Sequence, residues 1–351
     1  GFDRSRFESA EPAEKTDMGF GRPADIPCLD CPHGKTGVKK DGQKGYCMDV
    51  TALSAALLQH GDINVIQNAP MRDYTSFQIG GTADLLLMPQ TKEALLFCCR
   101  TVREHGVPLC LIGAGSNLLV GDGGIRGAVI RLAAPFSRVT QNDTVLTAEA
   151  GISLARLSAL AAGAGLSGLA FASGIPGTLG GAVFMNAGAY GGEMKDVVTE
   201  TDYLDVQDGM VHTLRGAAHA FGYRRSVFSG TEYVILESRL TLTPDDPEAI
   251  RSAMRELNAK RREKQPLAQP SAGSTFKRPE GYFAAKLIED AGLKGKSVGG
   301  AQVSPKHAGF VVNTGNATAA DVRRLITLVQ NEVFAAFGVR LEPEVRFVGE
   351  F

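Results

Sequence analysis

The chain has 351 residues, 44% hydrophobic and 21% charged, which gives apolar material for a sizeable core and roughly two or three domains, and excludes disorder throughout. Its 37 Lys and Arg against 38 Asp and Glu leave a net charge of -1, so there is no global positive field to gather nucleic acid or an anionic membrane surface. Glycine is the outlier at 42 residues, against an average usage near ~7%, and without a collagen-like period it asks for tight turns or close backbone approach.

Residues 1–50 are rich in charge, Gly and Pro and poor in apolar periodicity. They read as a polar extension outside the core fold, disordered or metal-binding. Cys28, Cys31, His33 and Cys47 offer a zinc set there, but a regular second ligand pair is missing, and a polar tail that happens to carry thiols is the alternative. The start has mixed charge and no apolar stretch of signal-peptide length, and beginning at Gly1 leaves a processed or shortened start open.

A short helical pattern over 49–60 leads through 63–66 to the segment 69–81. Residues 84–88, Asp-Leu-Leu-Leu-Met, form a buried strand closed by Pro89. Thr91 caps the next helix, in which Leu95, Cys98, Cys99 and Val102 keep helical spacing, and Gly106 ends it. Strands follow at 107–112, 128–132 and 144–150, then a helix at 154–163, with a loop over 113–127 and a glycine-rich run from Gly165. β-Branched and aromatic content marks strands at 203–206 and 234–242. At 244–247, Pro-Asp-Asp-Pro, the composition changes, and a long charged helix over 248–264 opens a distinct C-terminal domain. A helix near 284–291, strands near 298–303 and 309–312, a helix over 318–337 and a last strand over 340–348 complete it. The fold class is α+β.

The uncharged stretch 157–192 is long enough for a membrane span, but ten of its 36 residues are Gly and Pro176 breaks it, so no span is expected. Cys98, Cys99 and Cys110 lie in apolar segments, which fits buried reduced thiols and a cytoplasmic setting.

Two glycine-rich segments carry chemistry. Gly113-Ala114-Gly115-Ser116-Asn117-Leu118 follows the strand at 107–112, and its paired glycines let successive N–H groups converge on one anion, such as a pyrophosphate. A Rossmann fingerprint fails, because position 118 is Leu and no helix follows, and the loop taken alone could be an ordinary turn. The second segment runs Gly174-Ile175-Pro176-Gly177-Thr178 through Gly181 to Asn186 and Tyr190 with no charge, which suggests backbone packed on a flat or extended ligand; a close helix-turn interface is the alternative.

Seven motifs in order carry a family resemblance: Tyr74-Thr75-Ser76-Phe77-Gln78-Ile79-Gly80-Gly81, the Gly113 loop, Gly174 to Gly177, Asn186 to Gly191, Gly222-Tyr223-Arg224-Arg225-Ser226, Ala272-Gly273-Ser274-Thr275-Phe276-Lys277 and Leu341-Glu342-Pro343-Glu344-Val345-Arg346. Over residues 51–351 the chain resembles the UDP-N-acetylenolpyruvoylglucosamine reductase family of flavoenzymes, in its compact type without an extra tyrosine-bearing loop. The resemblance implies an FAD-binding fold of the vanillyl-alcohol-oxidase (PCMH) type in two subdomains, 51–135 and 136–244, and a substrate-binding domain at 245–351. It implies that NADPH reduces FAD and that UDP-GlcNAc-enolpyruvate is then reduced to UDP-N-acetylmuramate, in a cytoplasmic enzyme expected to be a monomer and to bind neither nucleic acid nor membrane.

By the same resemblance, Tyr74, Thr75, Gly113, Ala114, Gly115, Ser116, Asn117, Leu118, Gly174, Ile175, Pro176, Gly177, Thr178, Gly181 and Asn186 hold FAD, and Tyr223 and Lys264 hold substrate. Lys264 ends a basic run, Lys260, Arg261 and Arg262, that could equally be a solvated helix end. Adding hydride to an enol ether that bears a carboxylate builds charge on that carboxylate and then requires a proton on the adjacent carbon. The resemblance gives Arg224 and Glu344 the first task and Ser274 the second. Without it, Arg224 would read as an ion-pair partner, Glu344 as a strand-end charge and Ser274 as a turn residue. A protonated Glu344 calls for burial. A flavin oxidase acting on a sugar or alcohol, and a nucleotide-binding module without turnover, remain as other readings; the Gly113 loop has no histidine for a covalent flavin link.

Overall fold

Four strands form the first sheet of the computed structural model, which describes residues 50–351 and so leaves Cys28, Cys31, His33 and Cys47 outside the described residues. Their order is Ile63–Pro70, Thr82–Pro89, Ile125–Arg131, Leu109–Ile112, the first antiparallel to its neighbour and the other three parallel. Leu85, Leu86 and Leu87 are buried on both faces, which explains why this strand is a continuous apolar run and not an alternation. Helices Val50–Leu58 and Lys92–Glu104 cover one face. Thr91 caps the second of them, its hydroxyl accepting from Ala94 N at 3.1 Å. Burial pushes the Cys98 and Cys99 thiols up to about 12, so neither is reactive.

A five-stranded antiparallel sheet follows, ordered Val211–Arg215, Val198–Asp205, Tyr233–Thr241, Val145–Glu149, Val139–Asn142. Helices Leu154–Gly163 and Leu179–Phe184 pack on it. The uncharged stretch at 157–192 breaks into short elements, and among the described residues no helix is long and apolar enough to cross a membrane. Helix Pro247–Lys264, capped by Asp246, lies against Leu154–Gly163 and the turn Ala170–Ala172, burying Ile250 and Arg261.

The remaining chain packs helices Ala284–Asp290 and Ala319–Phe337 with three short strands, Ser297–Val298, Ala301–Val303 and Val311–Asn313. The strand expected at 298–303 is a hairpin that turns at Gly299 and Gly300. Thr318 and Asp321 form a capping box, and Val322, Leu325, Ile326, Val329 and Val333 are buried, as the periodicity requires. The strand expected at 340–348 divides in two. Lys277 N donates to Glu342 O and Glu344 N to Thr275 O, each at 2.8 Å, whereas Arg346–Val348 pairs in parallel with Leu118–Val120, a strand inside the expected loop. Pro343 has no N–H to offer a continuous ladder. The carboxylate of Asp122 accepts from Ala319 N at 2.8 Å and Ala320 N at 2.9 Å, fixing the last long helix to the first sheet's loop. Residues 113–120, 274–277 and 342–348 are therefore held together by backbone bonds.

Candidate functional site

The loop at 113–117 leaves the C-terminal end of parallel strand Leu109–Ile112, where an open parallel sheet forms its crevice. A Cβ added to Gly113 would lie 2.3 Å from Thr178 Oγ1, and one added to Gly115 would lie 2.2 Å from the Tyr74 carbonyl oxygen. Gly115 also has φ +65°, which disfavours any L side chain. Ser76 N donates to Gly115 O at 3.2 Å, and Ser116 Oγ lies 3.4 Å from where a Gly177 Cβ would be. Tyr74, Thr75, Gly113, Gly115, Ser116, Gly177 and Thr178 thus converge, although they come from three separated segments.

Thr178 caps helix Leu179–Phe184, with Gly181 N 3.5 Å from its hydroxyl. Ala114 and Pro176 are exposed beside this cradle and Ile175 is half-buried. Leu118 starts the strand that pairs with Arg346. The Gly174 carbonyl accepts from the Arg261 guanidinium. The converging segments 74–76, 113–117 and 174–178 carry no acidic residue, which is compatible with an extended anionic cofactor approached by main chain. Asn186 has another place: it donates to Glu193 Oε2 at 2.8 Å and to Gly222 O at 3.0 Å, and accepts from Lys195 N at 2.9 Å. Its amide thereby anchors the hairpin whose tip carries Tyr223 and Arg224.

At that tip Gly222 and Arg225 pair, and Arg224 adopts φ +56°. Arg224 Nε donates to Glu344 Oε1 at 2.8 Å, its Nη2 reaches Gly188 O at 3.3 Å, and its guanidinium lies 4.9 Å from the Tyr223 ring centroid. The Glu344 side chain is 12% exposed and that of Arg224 19%. Burial pushes the Glu344 carboxyl above its ordinary range, opposed by the Arg224 guanidinium and, more weakly, by Lys277. Asn117 Nδ2 donates to Glu344 O at 3.1 Å, and Arg346 N donates to Asn117 O at 2.9 Å, so one residue of the glycine loop holds the backbone on both sides of Val345.

Ser274 precedes Thr275, whose carbonyl takes Glu344 N, and Ser76 Oγ donates to Ser271 O at 2.7 Å. Ser274 is exposed, and among the described residues nothing takes its hydroxyl. The Tyr223 hydroxyl accepts from Arg278 N at 3.0 Å, closing the cluster.

Lys264 is exposed at its helix end. The basic run's buried member is Arg261, 5.9 Å from the Tyr190 ring centroid, its guanidinium pK lowered by burial. Helical phase marks it: Arg261 stands eleven residues after Ile250, on the same face. His307 has no such signal. Its Nδ1 accepts from Gly309 N at 3.1 Å, burial lowers its pKa, and Gly309 O takes Thr275 N.

Two family models match: "UDP-N-acetylenolpyruvoylglucosamine reductase, C-terminal domain" over residues 265–348, and "FAD binding domain" over 83–215. Among curated proteins the chain is similar to the UDP-N-acetylenolpyruvoylglucosamine reductase of Caldanaerobacter subterraneus, 50% identical over 81% of this chain and 93% of the relative. It is likewise similar to that of Clostridioides difficile, 49% identical over 84% of this chain and 96% of the relative. Its fold is similar to the crystal structure of the enzyme of that name from Thermus caldophilus, with TM-score 0.69 and 36% identity over 82% of this chain and 98% of the other.

Proposed function

The chain belongs to the UDP-N-acetylenolpyruvoylglucosamine reductase family, and from that premise we propose that Arg224, Glu344 and Ser274 carry the chemistry while the glycine cradle holds FAD. The activity itself is the family's: an FAD-dependent oxidoreductase that reduces UDP-GlcNAc-enolpyruvate to UDP-N-acetylmuramate with NADPH, in peptidoglycan precursor synthesis. An FAD-binding fold of the vanillyl-alcohol-oxidase type precedes the family's C-terminal domain. For the division at 51–135, 136–244 and 245–351, one buried cluster lying wholly within the second unit is the support. The cluster under the first sheet also takes Leu204, Val206, Val234 and Leu236, the C-terminal cluster takes Phe77, Ile79 and Leu119, and helix Pro247–Lys264 packs on the second unit.

The observation that carries the assignment is the Arg224–Glu344 contact at 2.8 Å, with both side chains mostly buried. The chemistry FAD supplies when bound is hydride transfer, received from NADPH and passed to the β-carbon of the enolpyruvyl ether. Arg224 receives the substrate carboxylate, on which negative charge builds. A second carboxylate on one guanidinium raises the proton affinity of Glu344 further, so Glu344 takes a proton and becomes a hydrogen-bond donor to the charged intermediate. Ser274 Oγ then gives its proton to the adjacent carbon. A hydroxyl is a weak acid, so this step needs a strongly basic carbon within hydrogen-bond reach, and the absence of a competing partner among the described residues leaves the hydroxyl available for it. Tyr223, exposed beside Arg224, is a candidate for substrate contact, and Arg261 joins Lys264 as a candidate for the diphosphate of substrate.

The reading is of a monomer in a cytoplasmic setting, and the buried, unreactive thiols of Cys98 and Cys99 with the need for NADPH support the latter. Neither nucleic acid nor membrane has a part in this reading. The test is a purified protein that is yellow and oxidises NADPH only when UDP-GlcNAc-enolpyruvate is supplied. A colourless protein that takes up no FAD contradicts the reading.

A further inference from the structure

We propose that Arg131 supplies positive charge to the diphosphate of FAD, an inference that rests on the cradle reading above. Arg131 ends strand Ile125–Arg131 and stands opposite Ile112 in the parallel ladder, one residue before the glycine loop begins. Alternation along the strand puts Ile130 in the core under the helices, and Val129 on the opposite face with Ile112 and Tyr74, so Arg131 shares the face of Val129. Its guanidinium carbon lies 5.3 Å from the Tyr74 ring centroid, and the Tyr74 carbonyl is the atom that confines Gly115. The cation is therefore beside the cradle.

Charge accounting supplies the second argument. Residues 74–76, 113–117 and 174–178 contain no Lys or Arg, and the neighbouring guanidinium of Arg261 is already engaged by the Gly174 carbonyl and the Tyr190 ring, so a diphosphate held by these segments alone would meet only backbone dipoles and hydroxyls. Arg126, in the same strand, is matched by Asp84. Arg131 has no such match: its Nε is buried without a partner, and no carboxylate of the described residues forms an ion pair with it. A buried guanidinium donor without an acceptor is costly, and the planar fork of Arg fits a phosphate in a two-point contact. A diphosphate at the loop would satisfy both deficits at once.

The test strips the full-length chain of flavin and titrates it with FAD, following flavin fluorescence. Arg131→Met is expected to raise the Kd for FAD about 10- to 100-fold and to flatten its dependence on KCl, whereas Arg131→Lys keeps most of the affinity. In competition, ADP should outcompete adenosine strongly on the wild-type protein and weakly on Arg131→Met. If Arg131→Met does not fold by circular dichroism, Arg131→Gln, which keeps a donor and removes the charge, takes its place with the same expectation. An unchanged Kd, or an equal loss for ADP and adenosine, overturns the proposal. Failure of the wild-type chain to bind FAD overturns the cradle reading instead.

Discussion

The glycine cradle and the Arg224–Glu344–Ser274 cluster lie a few residues apart in space, linked by Asn117, yet they depend on different physics. In the proposed cradle, the shape depends on atoms that are missing: the Cβ positions of Gly113 and Gly115 are already filled by Thr178 Oγ1 and the Tyr74 carbonyl. In the cluster, everything depends on charge and protons carried by side chains whose burial raises one pKa and pairs it with a cation. A region defined by exclusion tolerates no addition. A region defined by electrostatics tolerates isosteric replacement structurally and fails chemically.

The largest effect expected on this contrast is in the cradle. Gly115→Ala adds a methyl 2.2 Å from a backbone oxygen at a left-handed φ; the conformation alone costs about 1–2 kcal/mol, before the clash, and the purified protein should carry essentially no flavin by absorbance. A yellow Gly115→Ala protein would break the claim that exclusion shapes this region.

Next comes Glu344→Gln, which should keep its flavin and slow substrate reduction about 100-fold. It also tests the electrostatics through pH. Because burial raises the folded-state pKa of Glu344, the native state binds that proton more tightly than the unfolded chain. Its contribution to stability is full below the ordinary carboxylate range and is lost as pH rises through the raised value. The melting temperature of Glu344→Gln should therefore rise relative to wild type with increasing pH across that window; a constant difference would contradict the raised pKa.

Asn117→Ala removes the side-chain bond to the Glu344 carbonyl and leaves the backbone bond from Arg346 N to the Asn117 carbonyl in place. Loss of one hydrogen bond of about 1 kcal/mol predicts roughly a 5-fold effect, seen in both flavin retention and substrate reduction. An effect on one alone would mean the regions are independent. The smallest effect belongs to Lys264→Ala, about 2-fold in KM for an exposed, screened charge; a large rise would show that the helix end, and not Arg261, dominates.

The sequence made the cradle visible because glycine density without charge has few physical causes, and the helices were legible where Thr91 and Thr318 cap an apolar stripe. The split of the last strand was not legible. Residues 340–348 have one composition, but tertiary hydrogen bonds divide them between Thr275–Lys277 and Leu118–Val120. The cluster was legible only through family resemblance, since an Arg at a hairpin tip, a Glu after Pro and a Ser in a turn have common structural uses. For Asn186 the motif suggested cofactor, and the structure adds a second task, its side-chain amide bonding Glu193, Gly222 and Lys195.

The division of labour between the two regions is tested most directly by stopped-flow absorbance on Ser274→Ala. NADPH should bleach the flavin at nearly the wild-type rate, because the cradle is intact, while reoxidation by UDP-GlcNAc-enolpyruvate slows by about 100-fold or more. Equal slowing of both half-reactions, or wild-type reoxidation, would contradict the account.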